Sequence, residues 1–386
     1  MIKIISVVGA RPNFMKIAPF IRAIDRHNAD NKGKEIVHKL VHTGQHYDAR
    51  MSDAFFSDLG IPEPDINLGV GSGTHAEQVG KTMIEFEKVL KAEKPDWVVV
   101  VGDVNATLAC SVTAKKEDIR CCHIEAGLRS GDMTMPEEIN RIVTDRVSDL
   151  LLVPDEISRG NLLSEGVDEH KIVSVGNIMI DTLEENLSSA LKLKIKDIIR
   201  DNSYTMPASL PEDETAFAFI TLHRPSNVDR PETLGPIVDF ITETAARRLK
   251  IIWPVHPRTV GKLSEFGLMD MLTSERNIIL LKPVSYREAL KLNVSASVVL
   301  TDSGGLQEEC TVLGTPCITL RFNTERPVTL RENGGTSVLA GNNTDIIRKE
   351  FIRSLSIPRK PFLPPLWDGQ TASRCVKAIV EYSTPQ

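Results

Sequence analysis

What this chain lacks narrows its class before any motif is read. No apolar run approaches the ~20 residues that a membrane-spanning helix needs, so no transmembrane segment is expected. The six cysteines (Cys110, Cys121, Cys122, Cys310, Cys317, Cys375) form no C-x-x-C pair. Most lie in apolar runs, which points to buried thiols in a reducing compartment. An excess of positive charge is also missing. With 46 Lys and Arg against 52 Asp and Glu the net charge is −6, which argues against general nucleic-acid or membrane-surface binding and leaves room only for a local basic pocket. The opening MIKIISVVGARP has a short apolar core and no convincing cleavage site, so it reads as a first strand, and the chain as cytoplasmic. Repeats and low-complexity tracts are absent from the sequence.

What is present is a β/α alternation from end to end. In the first half the β-branched runs Ile2–Val8, Ile36–His42, Trp97–Val101, Arg120–Ile124, Asp149–Val153 and Ile172–Val175 read as strands. The second half repeats the pattern with Ala216–Thr221, Lys250–Val255, Asn277–Leu281, Ser297–Leu300 and Pro316–Leu320. Unbroken apolar runs such as WVVVV suit strands buried on both faces, and helices between them make the sheets parallel. A length of 386 residues favours two domains. The expected fold class is therefore α/β, with one Rossmann-like domain over residues 1–180 and another over 181–366. The boundary falls near the helical-then-polar stretch Leu183–Ser209, which leads to Pro211. The tail, residues 367–386, carries a helical apolar stripe at Val376, Ile379 and Val380 and is expected to pack back on the first domain.

Nearly every unusual polar cluster directly follows one of these strands: Gly9-Ala10-Arg11-Pro12, Thr43-Gly44-Gln45-His46, Gly102-Asp103, Glu125-Ala126-Gly127, His223-Arg224, His256-Pro257-Arg258, Asp302–Gly305 and Arg321–Pro327. Ligands of open α/β sheets bind beyond the carboxyl ends of the strands. Two sheets facing a central cleft would gather all these clusters around one ligand.

In Thr301-Asp302-Ser303-Gly304-Gly305 a strand runs into a helix whose first N–H groups and dipole suit a phosphate, with Ser303 as N-cap. Glu309 lies one turn beyond Gly305 on the same face, about 5–6 Å along the axis. There the dipole has faded, and a carboxylate suits the hydroxyls of a group next to the phosphate, such as a ribose. Glu308 points about 100° away and reads as solvated. The loop GARPNFMK lacks the dinucleotide and Walker fingerprints, yet it sets Arg11 and Lys16 around a helix start, as a diphosphate would require. Asp103 and Glu125 follow buried strands, where acids are rarely placed without a purpose. Glu137, in the Pro136-Glu137-Glu138 helix start, is equally explained by dipole complementation. His223 and His256 follow successive strands, but no third ligand stands at a metal-site spacing, and His123-Ile124-Glu125 lacks the P-C-x-x-C of zinc deaminases. No metal and no cofactor is expected. Arg321 and Arg326 suit either a phosphate or an ion pair with Glu309.

Taken in order, GARPNFMKIAP, TGQH, GDVNAT, HIEAGLRSGD, MPEEINR, VGNIMID, LHRPSN, PVHP, LTDSGGLQEE and RFNTERP resemble the non-hydrolysing UDP-N-acetylglucosamine 2-epimerases over nearly the whole chain. The resemblance implies a glycosyltransferase-B-like fold, a homodimer, and reversible conversion of UDP-GlcNAc to UDP-ManNAc for surface polysaccharide. It implies Asp103, Glu125, Glu137 and His223 as the catalytic set. Arg11, Lys16, Arg141, Ser303, Gly304, Gly305, Glu309 and Arg326 would hold the UDP-sugar, and Gln45 and His46 are candidates for a second UDP-sugar site. The implied chemistry is anti elimination of UDP to a 2-acetamidoglucal, then re-addition with a proton delivered to the other face. That route needs cations on the leaving group and carboxylates that exchange protons. Three departures stand out: Asn13 where many relatives carry Glu, Pro225-Ser226 in LHRPSN, and no basic residue near Gly71–Gly73, which argues against the usual allosteric activation. Epimerases of related UDP-diacetamido-uronates, hydrolysing epimerases and glycosyltransferases share the expected cleft.

Overall fold

A computed structural model describes residues 1–31, 33, 35–44, 62–205 and 215–383, with the backbone alone at 11 and 12. Gln45, His46 and Pro211 lie outside the described residues. The chain divides into two compact units. Residues 1–182 and 364–386 form the first, and 183–363 form the second. The division falls inside the helix Ile178–Leu191.

In the first unit the described strands are β1 (Ile2–Val8), β2 (Ile36–His42), β3 (Ile66–Asn67), β4 (Trp97–Val101), β5 (Arg120–Ile124), β6 (Leu150–Val153) and β7 (Ile172–Ser174). They form one parallel sheet in the order β3-β2-β1-β4-β5-β6-β7. The five residues of β4 are all buried because helices cover both faces, which is why the sequence there is an unbroken apolar run. Crossovers that bear on the site are α1 (Arg11–Asp30), α2 (Asn105–Lys116) and α3 (Pro136–Val147).

The second unit repeats the plan with β8 (Phe217–Thr221), β9 (Lys250–Pro254), β10 (Ile278–Leu281), β11 (Val298–Thr301), β12 (Cys317–Thr319) and β13 (Ser337–Leu339). Its parallel order is β10-β9-β8-β11-β12-β13, and α4 (Gly304–Leu313) follows β11. One core face of this sheet is filled by Ile220, Trp253, Phe240 and Phe351, the last two edge to face at 5.5 Å. Each such fully buried side chain contributes roughly 1.5–3 kcal/mol.

In both sheets the order reverses beside the first strand of the unit, between β1 and β4 and between β8 and β11. A crevice opens at the carboxyl ends of strands at such a reversal. The loops after β1, β4, β8 and β11 are therefore the ones placed for a ligand.

The C-terminal segment returns to the first unit. Its helix α5 (Thr371–Ser383) starts on Asp181, whose carboxylate accepts from the backbone N–H of Thr371 and Ala372 at 3.0 and 2.7 Å. Trp367 donates its indole N–H to the Pro154 carbonyl at 3.0 Å, and Ser383 accepts from Trp97 Nε1 at 2.8 Å. Val376 and Ile379 are buried and Val380 is half-buried. All six cysteines are buried and none forms a disulfide.

Among the described residues, the two strands missed from the sequence are β3 and β13, of two and three residues. Both sit on sheet edges and are too short for periodicity to show.

Candidate active site

In the first unit the site begins with a loop stitched by one amide. Asn13 is buried in the first turn of α1; its Oδ1 accepts from the backbone N–H of Gly9 and Ala10 at 3.1 Å each. Its Nδ2 donates to the Val101 carbonyl at the end of β4 at 2.8 Å. A glutamate could not make that last bond, so the departure at Asn13 has a structural use here. One turn on, Lys16 is buried and ion-pairs with Glu125. Gly102, at φ +68°, passes between them; a Cβ there would stand 3.1 Å from Lys16 Nζ and 3.4 Å from Glu125 Oε2. Glu125 itself has φ +73°, a conformation costly for a residue with a Cβ. A buried ion pair is expensive in desolvation and a weak source of stability. Backbone strain and a buried ion pair thus meet at the end of one strand.

Beneath that end His123 is fully buried, with Nε2 2.8 Å from the Gly102 carbonyl and Nδ1 2.6 Å from Asp145. Asp145 also accepts from Gly127 N and Arg129 Nη1 at 3.1 and 2.7 Å. Burial works to raise the Asp145 pKa, yet His123 and Arg129 bring it below the ordinary value. His123 is thus a support for the Gly102 turn.

Asp103, next along, is bound by Arg141 of α3 and keeps 27% of its side chain exposed. Asn140 donates to the Asp103 carbonyl at 2.8 Å. Arg141 is only 2% exposed and is held between Asp103 and Glu138, so its direct partner in this structure is the carboxylate pair rather than open solvent. Of the two neighbouring glutamates the structure exposes Glu137 and buries Glu138. Glu138, passed over in the sequence, is the one that reaches Arg141. Arg11 is the first residue of α1.

In the second unit the organiser is Asp302, also not singled out from sequence. It is fully buried at the end of β11 and accepts from His223 N at 3.0 Å, Arg224 N at 2.8 Å and Asn227 Nδ2 at 3.1 Å. His223 Nδ1 stands 2.9 Å from Asp302 Oδ1 and leaves 43% of the side chain exposed. The His256 ring lies 5.7 Å from that of His223. Ser303 is the N-cap of α4 through its backbone, without a capping bond from its hydroxyl, so the first N–H groups at Gly304 and Gly305 are those that a helix leaves for a ligand. Gly304 is required by space: a Cβ would meet Arg326 Nη1 and Glu325 Oε1 at 2.8 Å.

The glutamates of α4 differ from the sequence reading. Glu308, expected in solvent, is buried and takes Arg326 Nε at 2.7 Å. The physical reason is the loop after β12, which folds over α4 and brings in an ion-pair chain: Arg326 also binds Glu325, and Glu325 binds Arg321 at 2.6 Å. The arginines therefore pair with Glu308 and Glu325, not with Glu309. Glu309 is buried against Tyr286 and Asn293, with Asn293 Nδ2 3.5 Å away. Burial pushes its carboxyl up to about 7, and Glu308 adds to the rise. Among the described residues no group of three His, Cys, Asp or Glu could hold a metal ion.

Set against known proteins, residues 28–380 match the model of the UDP-N-acetylglucosamine 2-epimerase family. The UDP-N-acetylglucosamine 2-epimerase of Methanocaldococcus jannaschii is 43% identical over 381 residues, 98% of each chain. The UDP-2,3-diacetamido-2,3-dideoxy-D-glucuronate 2-epimerase of Pseudomonas aeruginosa is 40% identical over 384 residues, 98% of this chain and 99% of that one. The crystal structure of the Methanocaldococcus jannaschii UDP-GlcNAc 2-epimerase in complex with UDP-GlcNAc and UDP superposes with a TM-score of 0.87 at 42% identity, covering 99% of this chain and all of that one. Two parallel α/β units with these likenesses make the fold glycosyltransferase-B-like. Over nearly its whole length, then, this chain belongs to the UDP-N-acetylglucosamine 2-epimerase family.

Proposed function

We propose that the protein interconverts UDP-N-acetylglucosamine and UDP-N-acetylmannosamine by inverting C2 of the sugar, with no other product released. The observation that carries this reading is the pairing at neighbouring strand ends of β4 and β5: Asp103 on Arg141, and Glu125 on Lys16. These are two carboxylates able to exchange protons, each beside a fixed cation. The second unit supplies what a nucleotide diphosphate needs: the α4 N-terminus at Ser303, Gly304 and Gly305, the exposed His223 imidazole, and Arg326 behind Gly304.

In this reading the C1–O bond to UDP breaks with its electron pair leaving on the diphosphate. Helix N–H groups and cations stabilise that charge. The electron deficiency at C1 makes the C2 proton removable by a carboxylate, which gives the 2-acetamidoglucal. UDP then adds back to C1 while a proton reaches C2 from the opposite face. Arg11 and Lys16 belong to the sugar-diphosphate contacts and Glu309 to the ribose. The same reading has two copies of the chain associate and act on the cytoplasmic nucleotide-sugar pool, which light scattering and cell fractionation check.

Incubation with UDP-GlcNAc in D₂O tests the reaction. Deuterium at C2 of both UDP-sugars is expected. Label confined to free sugar would make the enzyme a hydrolase, and an unlabelled transferred sugar would make it a glycosyltransferase. Asp103→Asn is expected to abolish turnover while UDP still binds. The likeness to the Pseudomonas aeruginosa enzyme favours a second reading, in which the sugar is a UDP-diacetamido-uronate. The same assay run on both sugars separates the two by which one exchanges faster.

A further inference from the structure

The face that α3 turns inward is polar: Glu138, Asn140, Arg141, Thr144 and Asp145 are its buried residues, while Ile139 is 44% exposed. A helix that buries these charges while Ile139 faces outward and Ile142 is only half-buried is not docked by the hydrophobic effect alone; what the charges hold helps to seat it. Glu138 is 1% exposed. Its Oε1 accepts from the backbone N–H of Ser130 and Gly131 at 3.1 and 2.9 Å, and its Oε2 accepts from Ser130 Oγ at 3.0 Å. Arg141 Nε donates to the same Oε2 at 3.0 Å, and Arg141 Nη2 donates there too. The far side of the guanidinium, Nη1, carries Asp103. Burial alone would raise the Glu138 pKa, but Ser130, Arg141 and Gly131 hold it below the ordinary value, so it stays a carboxylate.

We infer that Glu138 is a positioning residue for the reaction: it clamps the Arg141 guanidinium in the one orientation that presents Asp103 to the sugar, and anchors the 130–131 turn to the same point. This deepens the proposed epimerase reading and rests on it. Arg141 has one flexible side chain, two carboxylate partners and a long bond of 3.4 Å to Ser130 Oγ; neutralising the buried carboxylate loosens its fixed orientation and lets it shift with Asp103. Asp103 keeps a partner but loses its fixed place, and a displacement of about 1 Å can cost about a hundredfold in rate. The hydrogen bonds of Glu138 go to Ser130, Gly131 and Arg141 and to none of Arg11, Lys16 or the second-unit residues proposed for UDP, so UDP binding has no reason to change.

The experiment compares wild type with Glu138→Gln, which keeps the size and one acceptor for the turn but removes the charge opposite Arg141. Wild type is first shown to place deuterium at C2 in D₂O; failure there ends the epimerase reading and the inference with it. Given that result, kcat of Glu138→Gln is expected to fall about a hundredfold, with the UDP dissociation constant and KM within about twofold of wild type. A structural role would instead lower kcat and UDP binding together through loss of folded protein, and that outcome overturns the inference, as does a kcat within about threefold of wild type. Arg141→Lys is the second variant should Glu138→Gln fail to fold. Lysine keeps the charge but cannot bridge two carboxylates in a fixed fork, so the same loss of kcat is expected in protein whose thermal midpoint shows it folded; KM is not held to the wild-type value for this variant, because Arg141 is itself among the residues implied for the UDP-sugar. Where both fold, the double variant is expected to lose no more than the worse single one, because both act through Asp103. Additive losses would show two independent effects and sink the proposal.

Discussion

Asp302 holds His223 twice, accepting the backbone N–H at 3.0 Å and facing the ring Nδ1 at 2.9 Å. One buried carboxylate thus fixes both the chain and the imidazole of the residue proposed for the diphosphate. Burial works to raise the Asp302 pKa, but His223, the Arg224 N–H and Asn227 hold it below the ordinary value. Asp302→Ala strands the N–H groups of His223 and Arg224 and is expected to cost about 2–4 kcal/mol of stability. A group with a lowered folded pKa contributes its stability above the unfolded carboxylate pKa and loses it as pH falls through the folded one. The gap between wild type and variant should therefore be full at neutral pH and narrow in acid. Urea unfolding across that range checks it, and a gap that stays constant into acid would refute the role given to the charge.

Asn13 ties the β1 loop to β4 with three hydrogen bonds, of which only the one to Val101 needs its NH₂. Asn13→Asp keeps the two acceptor bonds and sets a carboxylate against the Val101 carbonyl. A loss of about 1–3 kcal/mol is expected, read as a lower thermal midpoint. Because Lys16 lies one turn further along the same helix, turnover should fall with it. A thermal midpoint equal to wild type would mean that the amide is not engaged as described.

Much of this architecture was legible in the sequence because its physics is local. A strand buried on both faces has to be an apolar run, so WVVVV and VVLT announce themselves, and the polar residues just after them mark the ligand end. The site's supports were not legible for the opposite reason. The sequence reading settles on Glu137 and passes over Glu138, whereas α3, packed on α2, turns Glu138 inward and leaves Ile139 half-exposed. Nothing within the PEE triplet says which glutamate turns inward; that depends on how α3 is rotated against Asp103 and the 130–131 turn. Glu308 was misread similarly, because the loop that covers it arrives from beyond β12, eighteen residues later at Arg326.

Gly304 sits under Arg326 with no room for a methyl group. Gly304→Ala would bring a Cβ to 2.8 Å from both Arg326 Nη1 and Glu325 Oε1, forcing the arginine off its seat at the helix start. UDP affinity is expected to fall about tenfold or more, which corresponds to about 1.4 kcal/mol, while the fold survives. Calorimetric titration with UDP measures it. Unchanged affinity would separate Gly304 from the nucleotide site.

Glu309 offers a test in pH. Its folded pKa is raised from 4.5 to about 7, first by burial and further by Glu308, against the opposing bonds from Tyr286 and Asn293. Below the unfolded value the proton is bound in both states and the fold bears no cost. Between the two values the folded protein holds a proton that the unfolded chain has released, so stability drops as pH rises. Above the folded value both states are ionised and the whole burial cost remains. Glu309→Gln cannot ionise, so it should match wild type in mild acid and gain on it as pH rises through 4.5 to 7, by about 1–3 kcal/mol at the alkaline plateau. Denaturant midpoints of both proteins at several pH values give the difference directly. Parallel curves would show that the carboxylate is solvated at neutral pH, and a variant that weakens with rising pH would show that the charge is a partner the fold depends on.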